Sequence, residues 1–149
     1  MAAEQKGAAE VKEELESSLE SVDHAEELVV DAAKQMGFDE DERDQIGLAL
    51  RECMVNAVVH GNRYNLRKKV YLEINCTSDR LEIVIGDEGE GFDTSQLPDP
   101  LAEENILRQS GRGVLMMQAF MNEFQVRRRD PQGTEVKMVK YLAKAGSDQ

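Results

Sequence analysis

The sequence predicts a two-layer α/β (α+β) sandwich, an antiparallel-rich sheet with its helices packed on one face. Three observations carry this expectation. Apolar residues recur at helical spacing through 21–36 and 39–60, then at every second position through 70–76 and 81–85. The alternating stretches are joined by short turns, which favours antiparallel neighbours. The length, 149 residues, suits one domain with a real hydrophobic core.

Residues 1–10 are small and polar and are expected to form a frayed tail, as are 145–149, leaving 11–144 as the single domain. "VKEELESS" (11–18) reads either as helix or as edge strand. Ser21 to Met36 forms an amphipathic helix with Leu28, Val29, Ala32, Ala33 and Met36 on one stripe and Gly37 as its stop. Asp39 stands three residues before Glu42, an acidic capping box that opens a second helix running to His60 and closed by Gly61. Val70, Leu72, Ile74 and Cys76 alternate with polar residues. "TSDR" turns the chain, and Leu81, Ile83 and Ile85 alternate again up to Gly86. Residues 93–110 are irregular and contain Pro98 and Pro100, Gly113 to Met121 is apolar enough for a third core helix, and "EFQVRRR" and "TEVKMVKYL" close the fold as a hairpin across "DPQG".

The formal charge of −12 is unevenly spread: residues 1–44 hold 15 acids against 4 bases, the remainder 15 against 14. That balance argues against nonspecific nucleic-acid binding, which needs phosphates neutralised. The basic runs Arg67-Lys68-Lys69 and Arg127-Arg128-Arg129 read as solvated strand ends, or alternatively as local anion patches. No stretch approaches the roughly 20 apolar residues of a bilayer span, and the acidic start lacks the apolar region of a signal peptide. Cys53 and Cys76 fall in an apolar helix and an alternating strand, as buried reduced thiols would; a disulfide between them is the other reading. These features point to the cytoplasm and away from membranes.

Chemistry concentrates in three segments. At about 100° per residue, Gln45, Glu52, Asn56 and His60 share an arc of about 80° on a helix whose other faces are apolar. Such a stripe is either a solvent-facing seam or the wall of a ligand site, because a buried carboxylate without a partner costs several kcal/mol. "IGDEGEGFD" (85–93) places Asp87 before Gly89 and Gly91, which permit positive φ and close approach of a ligand. An acidic hairpin turn would look the same. "SGRGV" (110–114) puts Gly111 and Gly113 at a helix start, where backbone N–H groups bind anions, or where a hinge would sit.

In this order E-x-x-x-N, D-x-G-x-G-F and G-x-G resemble the GHKL nucleotide-binding family, whose Bergerat fold has a mixed, mostly antiparallel sheet. Within it "ALRECMVNAVVHGN", "DEGEGFD" with "LPDP", and "GRGVLMM" are most similar to the N box and glycine boxes of the anti-sigma factor serine kinases. The resemblance spans residues 20–142. It implies ATP and Mg²⁺ as cofactors, with Asn56 as the metal ligand and Glu52 as general base. It assigns Asp87 to the adenine amino group, with Thr134 helping through water, and Gly89 and Gly91 to the adenine pocket. Residues 94–110 become a short lid, and Gly111, Arg112 and Gly113 face the phosphates. His60 is then a cap or supporting group rather than a phosphoacceptor.

The function so implied is a protein serine/threonine kinase acting on a STAS-type anti-sigma factor antagonist in a partner-switching pathway. It implies a homodimer that also sequesters a sigma factor and touches neither nucleic acid nor membrane. The alternatives are a nucleotide-gated binding module without significant transfer and, less in keeping with the short lid, a simple ATPase.

Overall fold

In the computed structural model, which describes residues 9–89 and 112–143, the segment with two readings is a strand. β1 (Ala9–Glu16) lies antiparallel on β2 (Lys69–Cys76), with Val11 opposite Ile74 and Leu15 opposite Val70. Only as a strand can Val11 and Leu15 join the core beside those partners while Lys12, Glu14 and Glu16 stay in water. The strand begins at Ala9, inside the stretch expected to be a tail.

β3 (Arg80–Gly86) follows β2 through a turn in which the Thr77 hydroxyl accepts the N–H groups of Asp79 and Arg80. β4 (Glu123–Arg128) and β5 (Thr134–Tyr141) form the closing hairpin, and β5 inserts beside β3 to give the order β1-β2-β3-β5-β4. Each pairing in this sheet is antiparallel. Its inner face presents Val70, Leu72, Ile74, Leu81, Ile83, Ile85 and Met138, all buried.

Three helices cover that face among the described residues. α1 (Leu19–Met36) starts two residues before the expected Ser21 because Ser18 is the N-cap, its hydroxyl accepting the Ser21 N–H. Gly37, at φ 103°, ends it by turning its N–H onto the Ala33 and Lys34 carbonyls. α2 (Glu40–Val55) opens on the expected capping box, and α3 covers Arg112–Phe120. α2 packs between the other two and buries Ile46, Ala49, Leu50, Cys53 and Met54. Arg51, off the polar stripe, bonds Asp23 and Glu26 of α1 at 2.8 Å each.

The expected end of the second helix is corrected. The α-helix stops at Val55, and Asn56–Gly61 is a π turn closed by the Asn62 N–H on the Ala57 carbonyl at 2.8 Å. Gly61 is not a left-handed cap; the chain turns instead at Arg63 and Tyr64, with φ 53° and 61°. The cysteines are both free, Cys53 buried and Cys76 half-buried, so the disulfide reading falls. No described helix is long and apolar enough to cross a membrane.

Asn62 holds the segments around this turn together. Its buried amide donates to the Ser17 hydroxyl (2.8 Å) and the Lys69 carbonyl (3.0 Å), and accepts the Glu88 N–H (2.8 Å). Asn62→Ala leaves two of those backbone groups without their partner, and should lower the free energy of unfolding in urea by about 2–3 kcal/mol.

Candidate functional site

β3 ends in a carboxylate that the fold takes out of water. Asp87 is 7% exposed, and its Oδ1 accepts the N–H groups of Gly89 (2.9 Å) and Thr134 (3.2 Å). Its own N–H donates to the Thr134 carbonyl at 2.9 Å, so β5 grips both backbone and side chain. Burial pushes the carboxyl above its usual range, against the opposing pull of the two N–H groups and of Arg129 and Lys68. With Oδ1 so occupied, such a group is suited to accept a further hydrogen bond from an amine.

Three glycines make room for it. A Cβ on Gly61 would lie 2.4 Å from Asp87 Oδ2, and one on Gly89 would lie 2.2 Å from the Gly61 carbonyl oxygen. A Cβ on Gly133, at φ 110°, would come within 1.8 Å of the Asp87 carbonyl oxygen. Gly89 therefore serves backbone-to-backbone contact with the π turn at Gly61, and its φ lies outside the left-handed region the sequence allowed it. Sequence reasoning missed Gly61 as a site residue, reading it as a helix stop, and missed Gly133, absorbed into the hairpin turn.

Glu88 turns to the opposite side of the strand. It accepts the Tyr71 hydroxyl (2.5 Å) and the Lys69 N–H (2.8 Å), and these bonds hold its carboxyl below the ordinary range. Arg129 stacks over the Tyr71 ring, 4.0 Å from its centre. One basic run is thereby divided: Arg129 packs on an aromatic ring, Arg127 pairs with Glu135, and Arg128 is exposed.

The polar stripe divides as well. Glu52 and Asn56 are half-buried, one α-helical turn apart, and neither side chain forms a hydrogen bond or ion pair with any described residue. Asn56 opens the π turn that Gly61 closes, and residues five apart in a π turn lie on one side of the helix. The π turn that begins at Asn56 thus abuts Asp87 through Gly61. Gln45 is half-buried farther up α2. His60, expected to cap or support, is exposed, and its side chain bonds no described residue. Cys53 lies close enough to Asp87 to feel its charge; that charge adds to burial, the main cause, in driving the thiol far above its normal range. It stays a protonated core group rather than a nucleophile.

Thr134 is half-buried at the start of β5, bound to Asp87 through its backbone. Gly91, Gly111 and residues 94–110 lie outside the described residues. Arg112 and Gly113 begin α3, while their side-chain surroundings lie outside the description. Among the described residues no three His, Cys, Asp or Glu side chains gather in a metal-binding group.

A buried acidic anchor thus follows the central strand, beside a helix that carries an amide and a carboxylate. Residues 15–140 match the family model for the histidine kinase-like ATPase domain, and the chain belongs to that family. Among curated proteins it is similar to the serine-protein kinase RsbW of Bacillus subtilis (strain 168), 32% identical over 116 residues that cover 74% of this chain and 71% of the relative. The anti-sigma F factor of Oceanobacillus iheyensis is 34% identical over 107 residues, 70% of this chain and 73% of the relative. The anti-sigma F factor of Bacillus subtilis (strain 168) is 30% identical over a stretch of the same length.

Asp87 sets a signed pH effect. A carboxyl whose folded pKa is raised binds its proton more tightly in the folded state, so stability falls as pH rises from the unfolded value of 3.8 through the folded one. Asp87→Asn keeps the acceptor oxygen and removes the charge. The variant should melt at a higher temperature than the parent at pH 7, with the difference vanishing as pH drops below 3.8 in paired calorimetric scans.

Proposed function

We propose that the chain is an ATP-dependent protein serine/threonine kinase that phosphorylates a STAS-type anti-sigma factor antagonist, and that it binds a sigma factor in a partner-switching pathway. The observation that carries the reading is the junction of Asp87 with the π turn after α2 through Gly61, which sets a buried acceptor beside a helix whose free amide and carboxylate face no described partner. The similarity to a serine-protein kinase and to anti-sigma F factors supports the same class.

In this proposal Asp87 accepts the adenine amino group, assisted by Thr134 through water, and Gly89 and Gly91 bound the adenine pocket. Gly111, Arg112 and Gly113 face the phosphates. The Asn56 amide oxygen is a hard donor of the kind Mg²⁺ prefers. With no acidic cluster among the described residues, it fits a cation that arrives on nucleotide phosphates rather than one held by protein alone. Mg²⁺ would there neutralise charge developing on the transferred group.

Glu52 is the proposed base. As the serine oxygen forms its bond to the terminal phosphorus, its proton passes to the Glu52 carboxylate and the bond to ADP breaks. Transfer of this kind depends on position and charge more than on covalent chemistry. The protein would act in the cytoplasm as a homodimer.

The test is incubation of purified protein with labelled ATP and candidate antagonists, followed by phosphoserine analysis. Glu52→Ala should lower transfer by a factor on the order of 10²–10⁴ while leaving ATP affinity largely intact. ATP binding with no serine phosphorylation in the parent protein would count against the kinase and for a nucleotide-gated binding module. Gly61→Ala drives a Cβ into Asp87, and titration calorimetry should show ATP affinity reduced by about tenfold or more, as loss of one buried anchor contact implies.

A further inference from the structure

The loop between α2 and β2 combines strain, rigidity and exposure. Arg63 and Tyr64 both adopt the left-handed region, at φ 53° and 61°, which bulky residues enter only where surrounding structure holds them. The holding bonds are present. The Tyr64 N–H donates to the Val58 carbonyl (2.9 Å), the Asn65 N–H to the Asn62 carbonyl (3.0 Å) and the Lys68 N–H to the Asn65 carbonyl (2.9 Å). The Asn65 side chain accepts the Arg67 N–H (2.9 Å), and the Ser17 hydroxyl donates to the Lys68 carbonyl (2.5 Å).

No described residue covers the side chains of residues 63–67, all of which are exposed. Tyr64 is 50% and Leu66 58% exposed, two of the most exposed large apolar residues described. Residues 63–69 carry four bases and no acid in a chain of net charge −12. Lys69 stands opposite Glu16 across the β1–β2 pair, and Lys68 lies in the field of Asp87 and Glu88. Arg63 and Arg67 have no ion pair with any described residue.

We propose that residues 63–67 form a preorganised docking surface for an acidic segment of a partner protein, with Arg63 and Arg67 pairing its carboxylates and Tyr64 and Leu66 receiving an apolar side chain between them. A loop already fixed in its bound shape loses little entropy on association, and arginine and tyrosine are the residues that dominate such contacts. A protein fits better than a nucleic acid: the net negative charge repels a polyanion, and Leu66 has nothing to offer a phosphate backbone. The surface is independent of phosphoryl transfer, yet it adjoins the Asp87 site, since Asn62 at the head of the loop binds the Glu88 N–H.

The test is a backbone amide NMR titration of the full chain with a synthetic ten-residue peptide of Asp and Glu around a central Leu. Controls are the same peptide with Lys replacing the acids, and a ten-nucleotide oligothymidylate. Saturable shifts at residues 63–68 with a dissociation constant below about 1 mM, weakened by salt and absent with the Lys peptide, are expected. The neutral pair Arg63→Asn with Arg67→Gln, and separately Tyr64→Asn, should each weaken binding by about fivefold or more; asparagine keeps the left-handed backbone accessible. Unchanged thermal unfolding in either variant suffices to show that the fold is intact. Absence of saturable shifts, shifts confined elsewhere, undiminished binding by the folded variants, or tighter binding of the oligothymidylate would each overturn the proposal.

Discussion

The site depends on keeping one carboxylate out of water at the point where three chain segments meet. Asp87 can sit there only because the π turn after α2, the turn before β5 and the loop after β3 each reach it as bare backbone, at Gly61, Gly133 and Gly89. Two N–H groups on Oδ1 offset part of the burial cost, and the remainder appears as a raised affinity for its proton. A site that gives up stability to hold a charge in place is common where binding energy must be directed at one atom.

That arrangement explains features that look unrelated in the chain. The π turn at Asn56–Gly61 widens the helix just where Gly61 must touch Asp87. Asn62, next in sequence, binds the residue after Asp87, so the position of the carboxylate is tied to the start of α1 and to β2. Glu88 points the other way and is fixed by Tyr71 and the Lys69 N–H. Two consecutive acids at the end of one strand thus face opposite sides with opposite shifts in proton affinity, one governed by burial and the other by hydrogen bonds. The exposed loop at 63–67 begins from the same anchor, which places a rigid recognition surface directly beside the proposed nucleotide pocket.

Much of the architecture is legible from local pattern. The capping box at Asp39 and Glu42, the twofold alternation of 70–76 and 81–85, and the hairpin turn before Thr134 depend on neighbours within a few residues, and the structure contains each of them. The apolar side of α2 and the π turn, from Leu50 to Val58, is buried for the same reason. The extent of β1 was not legible, since Val11, Glu13 and Leu15 fit either period until β2 supplies an unpaired edge. Of the candidate site, the bond from the Gly89 N–H to Asp87 was not legible, and Gly89 serves contact with Gly61 rather than a left-handed turn.

By itself the sequence determined the fold class, the family, and which helix carries a polar stripe, because periodicity and motif order are properties of neighbouring residues. Only the tertiary structure decided that the α-helix gives way to a π turn at Asn56, that Gly61 and Gly133 exist to admit Asp87, and that Asn62 is buried while Tyr64 is not. Close approach of backbones distant in sequence, and the burial of one polar group at the cost of its hydration, leave no periodic trace in the chain.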